Sequence, residues 1–282
     1  MNNLHWWIIE QKTHYEQKKI FESNIRKRPW VRHFLIDPPL SPGNLNSVCR
    51  IGYVPFDQCL TDRYFYIDRS KKPEILAGGG ITTQIYWDFN NKSLPAGWQG
   101  AVRQSFTDQI SMKRKPNTQV ALLAFTTKRF RGKGLSGKIL IKMCKLAKKR
   151  NYRYLIVPSL PPLQFKKEYA QASIQDISRL KRSDGEYEDY WIRVHKKNGA
   201  KIIGCTTDSH RFIFNLNDFK RYVSSDPINT TGDHLVRLDK DTMLGPKRND
   251  MWQIVYADLE RSFVVFNWGC VWVSYDLQKI KY

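Results

Sequence analysis

Acidic residues are scarce in this chain of 282 residues: Asp and Glu number 26 against 47 Lys and Arg, a formal charge of +21. Such a surface draws in anions, whether nucleotide phosphates, acidic carrier proteins, nucleic acid or lipid head groups, and charge alone does not choose among them. Cysteine is also sparse. The five (Cys49, Cys59, Cys144, Cys205 and Cys270) are odd in number, widely spaced and without a C-x-x-C pair. That argues against a disulfide framework or a structural zinc site and fits a reducing cytoplasm. No apolar run approaches the roughly 20 residues that span a bilayer, and the apolar stretch in residues 1–10 is too short for a signal peptide. The expectation is a cytoplasmic protein off the membrane. No Gly-Lys-Ser/Thr ending marks a Walker loop, and no G-x-G-x-x-G follows a first strand, the one at 132–137 standing well inside the chain. Repeats, low-complexity tracts and an obvious linker are missing too.

What is present suits a folded enzyme. Hydrophobic residues make up 41% and aromatics 13%, with nine Trp, unlike a disordered chain. The length leaves one elaborated domain or a fused pair open. Along the chain, the patterning predicts a strand at 6–9, a polar helical stretch to about residue 26, and a loop at the proline-rich segment 37–42. Strands follow at 63–67 and, after Gly78-Gly79-Gly80, at 82–89. Trp98, Val102, Phe106 and Ile110 recur at helical spacing over 98–112.

The clearest stretch is 119–158. An apolar run at 120–125 gives way to a basic glycine loop, a helix over 134–150, and a second apolar run at 154–157. Leu135, Ile139, Met143 and Leu146 share one helix face and Lys138, Lys142, Lys145 and Lys149 another, so the helix lies on a sheet as a right-handed crossover between parallel strands. A polar segment then runs to Gly185. A helix over 187–198 ends at Gly199, strands are expected at 200–205 and 211–216, and the tail alternates as paired strands at 253–256 and 263–275.

Arg129-Phe130-Arg131-Gly132-Lys133-Gly134 follows a strand and opens a helix. Consecutive backbone N–H groups at a helix N-terminus, where the dipole is positive, make a place for a pyrophosphate. Glycines leave out the Cβ that would block phosphate oxygens, and Lys128, Arg129, Arg131 and Lys133 add countercharge. A bare R-x-x-G-x-G is more often a solvated turn; the flanking strand and helix favour the phosphate loop.

Here the sequence resembles the GNAT acyltransferase superfamily, whose phosphate loop has the form Gln/Arg-x-x-Gly-x-Gly/Ala and matches Arg129, Gly132 and Gly134. The resemblance implies an α/β fold with a mixed, mostly antiparallel central sheet flanked by helices. It also implies an acyl-CoA donor, acetyl-CoA or another short acyl-CoA, and no metal. In that family the strand before the loop splays from its neighbour and pairs with pantetheine. This would set Leu123, Ala124, Phe125, Thr126 and Thr127 beside the arm. The amides and side chains of Arg129, Phe130, Arg131, Gly132, Lys133, Gly134, Leu135 and Ser136 would then hold the pyrophosphate. The domain expected is one elaborated unit over 1–282, with its core at about 50–217 and a β extension at about 250–276.

More of the chain resembles one branch, the GNAT-like loading domains of modular polyketide synthases of the curacin type and related stand-alone proteins. The shared pieces are Pro95-Ala-Gly-Trp98, Asn117-Thr-Gln-Val-Ala-Leu122, Arg131-Gly-Lys-Gly-Leu-Ser136, Val157-Pro-Ser-Leu-Pro161, Trp191-Ile-Arg-Val-His195 with Asn198-Gly-Ala200, Thr231-Gly-Asp233 and Val271-Trp-Val273. That resemblance implies acyl transfer from CoA to the phosphopantetheine thiol of an acyl carrier protein, an acidic partner suited to a basic enzyme. It also implies chemistry at His195 and at a hydroxyl shortly after the strand-ending proline. The latter position is Pro162, which has no hydroxyl to orient a malonyl carboxylate, and this argues against decarboxylation.

His195 is the catalytic candidate, a general base for a thiol of pKa about 8.5. Its place near a helix C-terminus favours the protonated form unless burial opposes it. The plainer reading is a packed histidine stacked on Trp191. Cys144 reads as a buried apolar residue, Ser136 as a phosphate donor or a local cap, Trp98 as core or acyl-pocket lining, and His210 and Arg211 as surface residues. Two other functions compete: N-acetyl transfer to an amine, for which 120–125 offers no acidic base, and a non-catalytic nucleic-acid-binding module, for which no motif exists.

Overall fold

The computed structural model describes residues 4–9, 61–68, 75–220, 223, 228–238 and 251–279. The expected helical stretch before residue 26, the proline-rich loop, Cys49 and Cys59 lie outside these residues. Among them, one sheet of nine strands is built from β1 (Leu4–Ile9), β2 (Thr61–Asp68), β3 (Ile75–Ile85), β4 (Thr118–Thr126), β5 (Tyr154–Ser159), β6 (Lys201–Asn215), β7 (Gly232–Leu238), β8 (Met251–Asp258) and β9 (Phe263–Asp276). Their order is β1-β2-β3-β4-β5-β9-β8-β7, with β6 also on β9. Every described pairing of these strands is antiparallel except β4 with β5. The helices are α1 (Gly97–Phe106), α2 (Leu135–Lys149), α3 (Ile174–Arg179), α4 (Tyr190–Lys197) and α5 (Leu216–Lys220). This is the mixed, mostly antiparallel α/β architecture that the resemblance implies.

Helix α2 forms as its periodicity predicts. Leu135, Ile139, Leu140, Met143, Cys144, Leu146 and Ala147 are buried, while Lys138, Lys145, Lys148 and Lys149 are exposed. Each large apolar side chain so buried contributes about 1.5–3 kcal/mol. These residues pack with Leu155, Val157, Ile192, Val273 and Tyr275 in one cluster. A second cluster joins α1 (Ala101, Val102) to Val120, Leu122, Ile156 and Trp272. A third holds Phe212, Phe214, Phe266 and Trp268 together in the β6 and β9 half of the sheet.

The structure departs from the sequence expectations at identifiable places. The triple glycine lies within β3 rather than before it, because α2 crosses the strand there. A Cβ on Gly80 would stand 2.1 Å from Met143 Cε, and one on Gly78 would stand 3.2 Å from Leu135 Cδ2. The two strands expected after α4 are one, β6, interrupted where residues 207–209 stand opposite Gly269 alone, between the pairs Thr206 with Cys270 and His210 with Trp268. Helix α4 starts at Tyr190, not 187, because the Asp189 carboxylate caps it, accepting from the amides of Trp191 (2.8 Å) and Ile192 (3.1 Å). The polar segment before it contains α3. The helix expected over 98–112 is α1 followed by a wider turn at Thr107–Ser111. Strand β9 is not a peripheral extension: it pairs with β5, β6 and β8 in the interior of the sheet.

Candidate functional site

The glycine loop is held at its start by Thr127, whose amide and hydroxyl both donate to the Ala77 carbonyl, at 2.9 and 3.1 Å. A single 3₁₀ turn, Lys128–Phe130, follows. Within it the amides of Phe130 and Arg131 donate to the carbonyls of Thr127 and Lys128, and the Phe130 ring is buried with the Lys133 ammonium 5.4 Å from its centre. The amides of these two residues are therefore engaged, and Phe130 anchors the loop from below. The open amides lie further along. Among the described residues, the N–H groups of 132–137 have no protein acceptor, and the first α2 bond outside the helix proper runs from Lys138 N to Gly134 O.

Gly132 and Gly134 have φ of +74° and +69°, and a Cβ on either would meet nothing within 4 Å. Both glycines are thus required by backbone conformation and both face open space. Arg129, Arg131 and Lys133 are exposed around them, Ser136 is half-buried in the first helical turn and Leu135 points into the core. Gly137, which sequence reasoning passed over, completes the row. A Cβ there would stand 3.2 Å from Asn198 Nδ2, so the end of α4 abuts the start of α2. The arrangement is a row of amides at the positive end of a helix, rimmed by cations, with room for oxyanions.

The strand leading into the loop supplies the second feature. Strands β4 and β5 pair only through Thr118 with Tyr154, Gln119 with Leu155 and Val120 with Ile156, although β4 continues to Thr126 and β5 to Ser159. Just past the last pair β4 bulges. Ile81 faces Leu123 and Thr82 faces Ala121, so Leu122 is the extra residue. Both Leu122 and Leu123 turn to the α1 side, whereas Ala121 and Ala124 pack on the α2 side. The indole Nε1 of Trp98 donates to the Leu122 carbonyl at 2.7 Å. Residues 123–127 are half-buried, where 118–122 are buried. Two parallel strands that part beside a glycine loop at a helix N-terminus are the arrangement the resemblance implies.

The topology is GNAT-like.

No protein-family profile matches the chain, and no curated protein matches its sequence. Among solved structures it is similar to the loading GNATL domain of CurA from Lyngbya majuscula, at 12% identity and a TM-score of 0.44, over 98% of this chain and 99% of that one. It is also similar to the GphF GNAT-like decarboxylase in complex with isobutyryl-CoA, at 11% identity and a TM-score of 0.41, over 76% and 77%. A Bacillus subtilis acetyltransferase in complex with CoA matches at 11% and 0.31, over 77% and 76%.

Within the GNAT-like frame His195 sits near the C-terminal end of α4 and is 2% exposed. Its Nδ1 lies 2.8 Å from the Tyr275 hydroxyl, and its ring is tilted over Trp191 at 6.0 Å. Burial outweighs the helix dipole: desolvation of the imidazolium pulls the pKa down to about 4. The ring is neutral at pH 7, and it is a poor proton acceptor for a thiol of pKa about 8.5. Its helix belongs to the cluster that contains Ala121 and Val157, the residues that follow the last pair of β4 and β5, Val120 with Ile156.

The remaining sequence candidates fall as follows. Pro162 opens the 3₁₀ turn Pro162–Phe165. Cys144 is 1% exposed in the α2 core. Arg211 is exposed, but His210 is 5% exposed rather than on the surface. It is stacked on Trp98 at 5.3 Å, and burial pulls its pKa to about 4. It faces inward because it shares a strand face with Phe212 and Phe214. Trp98 therefore joins core and cleft, holding Leu122 with one edge and covering His210 with a face. No three His, Cys, Asp or Glu among the described residues stand together as metal ligands, and no described helix is long and apolar enough to cross a membrane.

Proposed function

We propose that this chain is an acyl-CoA-dependent acyltransferase that moves a short acyl group from CoA to the phosphopantetheine thiol of an acidic acyl carrier protein. The observation that carries the reading is the row of open amides at 132–137, at the positive end of α2, with Gly132 and Gly134 held at positive φ in front of open space. The donor's pyrophosphate accepts from these amides, and Arg129, Arg131 and Lys133 offset its charge. Its pantetheine arm runs along 123–127, where β4 has left β5, and its thioester reaches the parting of the strands on the His195 side.

In the reaction the acceptor thiolate attacks the thioester carbonyl. A new C–S bond forms, the C–S bond to CoA breaks, and CoA leaves as a thiolate that takes up a proton. A thiol is favoured over an amine because an ammonium acceptor must first lose a proton to a base, and β4 carries no acidic residue. Pro162, which offers no hydroxyl to a malonyl carboxylate at the position the resemblance assigns to one, favours transfer without decarboxylation. The charge of +21 suits both the phosphates and the carrier.

The test is transfer of label from acetyl-, propionyl- and malonyl-CoA to a panel of holo carrier proteins and, in parallel, to a panel of amines. Label on a carrier, intact for malonyl, supports the proposal. Label on an amine alone replaces it with N-acyl transfer. CoA that fails to bind, with salt-dependent binding to RNA or DNA instead, points to the nucleic-acid module.

A further inference from the structure

Tyr275 lies on β9 opposite Leu155 of β5 and is 1% exposed, so its phenol is fixed by the sheet. Among the described residues, its hydroxyl has one hydrogen-bond partner, Nδ1 of His195 at 2.8 Å. A buried hydroxyl carries one proton that needs an acceptor. The two arrangements of this pair are not equivalent. If the phenol donates to Nδ1, the hydroxyl proton and Nδ1 are both satisfied and the ring's own proton is on Nε2, which has no hydrogen-bond partner among the described residues. If Nδ1–H donates to the phenol oxygen, the Tyr275 proton has no strong acceptor. Among the described residues, the thiol of Cys144 also acts on it electrostatically, and sulfur accepts hydrogen bonds only weakly.

We infer that Tyr275 is a positioning residue that fixes His195 as the Nε2–H tautomer, so that His195 offers the acyl thioester a hydrogen-bond donor and not a base. The second half of this inference rests on the reading of His195 as the side chain acting on the thioester; the tautomer itself does not. Burial holds both partners in the required states, keeping the phenol protonated well above its usual range and the imidazole neutral down to about pH 4. The Nε2–H then stabilises the oxyanion that develops on the thioester carbonyl, while the acceptor arrives as a thiolate, having lost its proton to solvent.

The decisive experiment is long-range proton–nitrogen NMR of the full chain labelled in its histidine rings, with His195 assigned from the signals lost in H195Q. At pH 6–8 the wild type should show Nδ1 unprotonated and Nε2 protonated, in more than about tenfold excess over the other tautomer. Tyr275→Phe should bring the two tautomers toward equal population. A protonated Nδ1 in the wild type overturns the inference, as does a tautomer ratio unchanged in Tyr275→Phe. If that variant fails to fold, the wild-type spectrum decides alone. No acyl-CoA is needed, so this result is independent of the transfer assay.

Activity provides the second readout. Gln at 195 keeps an N–H donor near the ε position and removes the base. His195→Gln should therefore stay within about tenfold of wild-type kcat where His195→Ala loses about a hundredfold. Equal loss in the two variants overturns the donor role.

Discussion

Trp98 Nε1 and the Leu122 carbonyl, 2.7 Å apart, join helix α1 to the one residue by which β4 exceeds β3 at their bulge. A bulged residue leaves the ladder, so its carbonyl must find another donor or remain unsatisfied. The indole fills that need at the place where β4 leaves β5. The bulge, the parted strands and the tryptophan are thus one structural device.

Trp98→Phe keeps a ring against His210 and deletes the donor. It should destabilise the fold by about 1–3 kcal/mol, read from the midpoint of urea unfolding. A variant as stable as wild type would mean that the bulge does not depend on this bond.

Gly134→Ala separates backbone strain from ligand binding. Alanine at φ +69° costs about 1–2 kcal/mol of stability, and its methyl group would stand in the space facing the phosphate. CoA affinity should fall at least about tenfold, or about 1.4 kcal/mol. Gly185, at φ +81° in an exposed turn and equally free of neighbours, is the control. Gly185→Ala should show the same stability cost with CoA affinity unchanged, as measured by calorimetric titration. Equal loss of affinity in both variants would remove the glycine from the binding site.

The parts of the fold and site that were legible in the sequence are those set by local chemistry. Residues 119–158 combine a buried strand, a glycine turn and an amphipathic helix, each with its own pattern, and β4, α2 and β5 lie where the patterns place them. The bulge was hidden because Leu122 and Leu123 look alike to any periodicity, and only the β3 register shows that both face α1. His210 reads as polar at a strand start, yet its face is decided by Phe212 and Phe214 two and four residues on. Tyr275 pairs with His195 across 80 positions, a relationship that no local window contains.

Asp62 is fully buried and meets Arg150 through both carboxylate oxygens, with Arg150 Nη2 at 2.9 Å from Oδ1. Gln119 and Thr82 also donate to it, each at 3.4 Å. The pair ties the end of α2 to β2. Asp62→Ala leaves a guanidinium facing a buried gap and should cost about 3–5 kcal/mol, again by urea unfolding. A loss below about 1 kcal/mol would class the pair with exposed ion pairs.

Stability should fall in acid for a reason specific to two imidazoles. Burial holds His195 and His210 near pKa 4, below the roughly 6.5 of the unfolded chain. Between those values the unfolded state binds more protons, so stability rises with pH across the window. It is fully present above about 6.5 and lost as pH falls toward 4, by about 3 kcal/mol for each ring. His210→Phe removes one contribution. Its stability difference from wild type should shift in its favour by about 3 kcal/mol between pH 7 and pH 4. Parallel stability curves would show that His210 titrates normally.

Whether main-chain amides at the start of α2 hold the diphosphate of CoA is read out by backbone amide NMR during titration with CoA. Large shifts are expected at Gly132, Lys133, Gly134, Leu135, Ser136 and Gly137, with none from pantetheine, which lacks the diphosphate. Saturable binding of CoA that leaves these amides unmoved, or no binding at all, would contradict the assignment of this loop to the acyl donor.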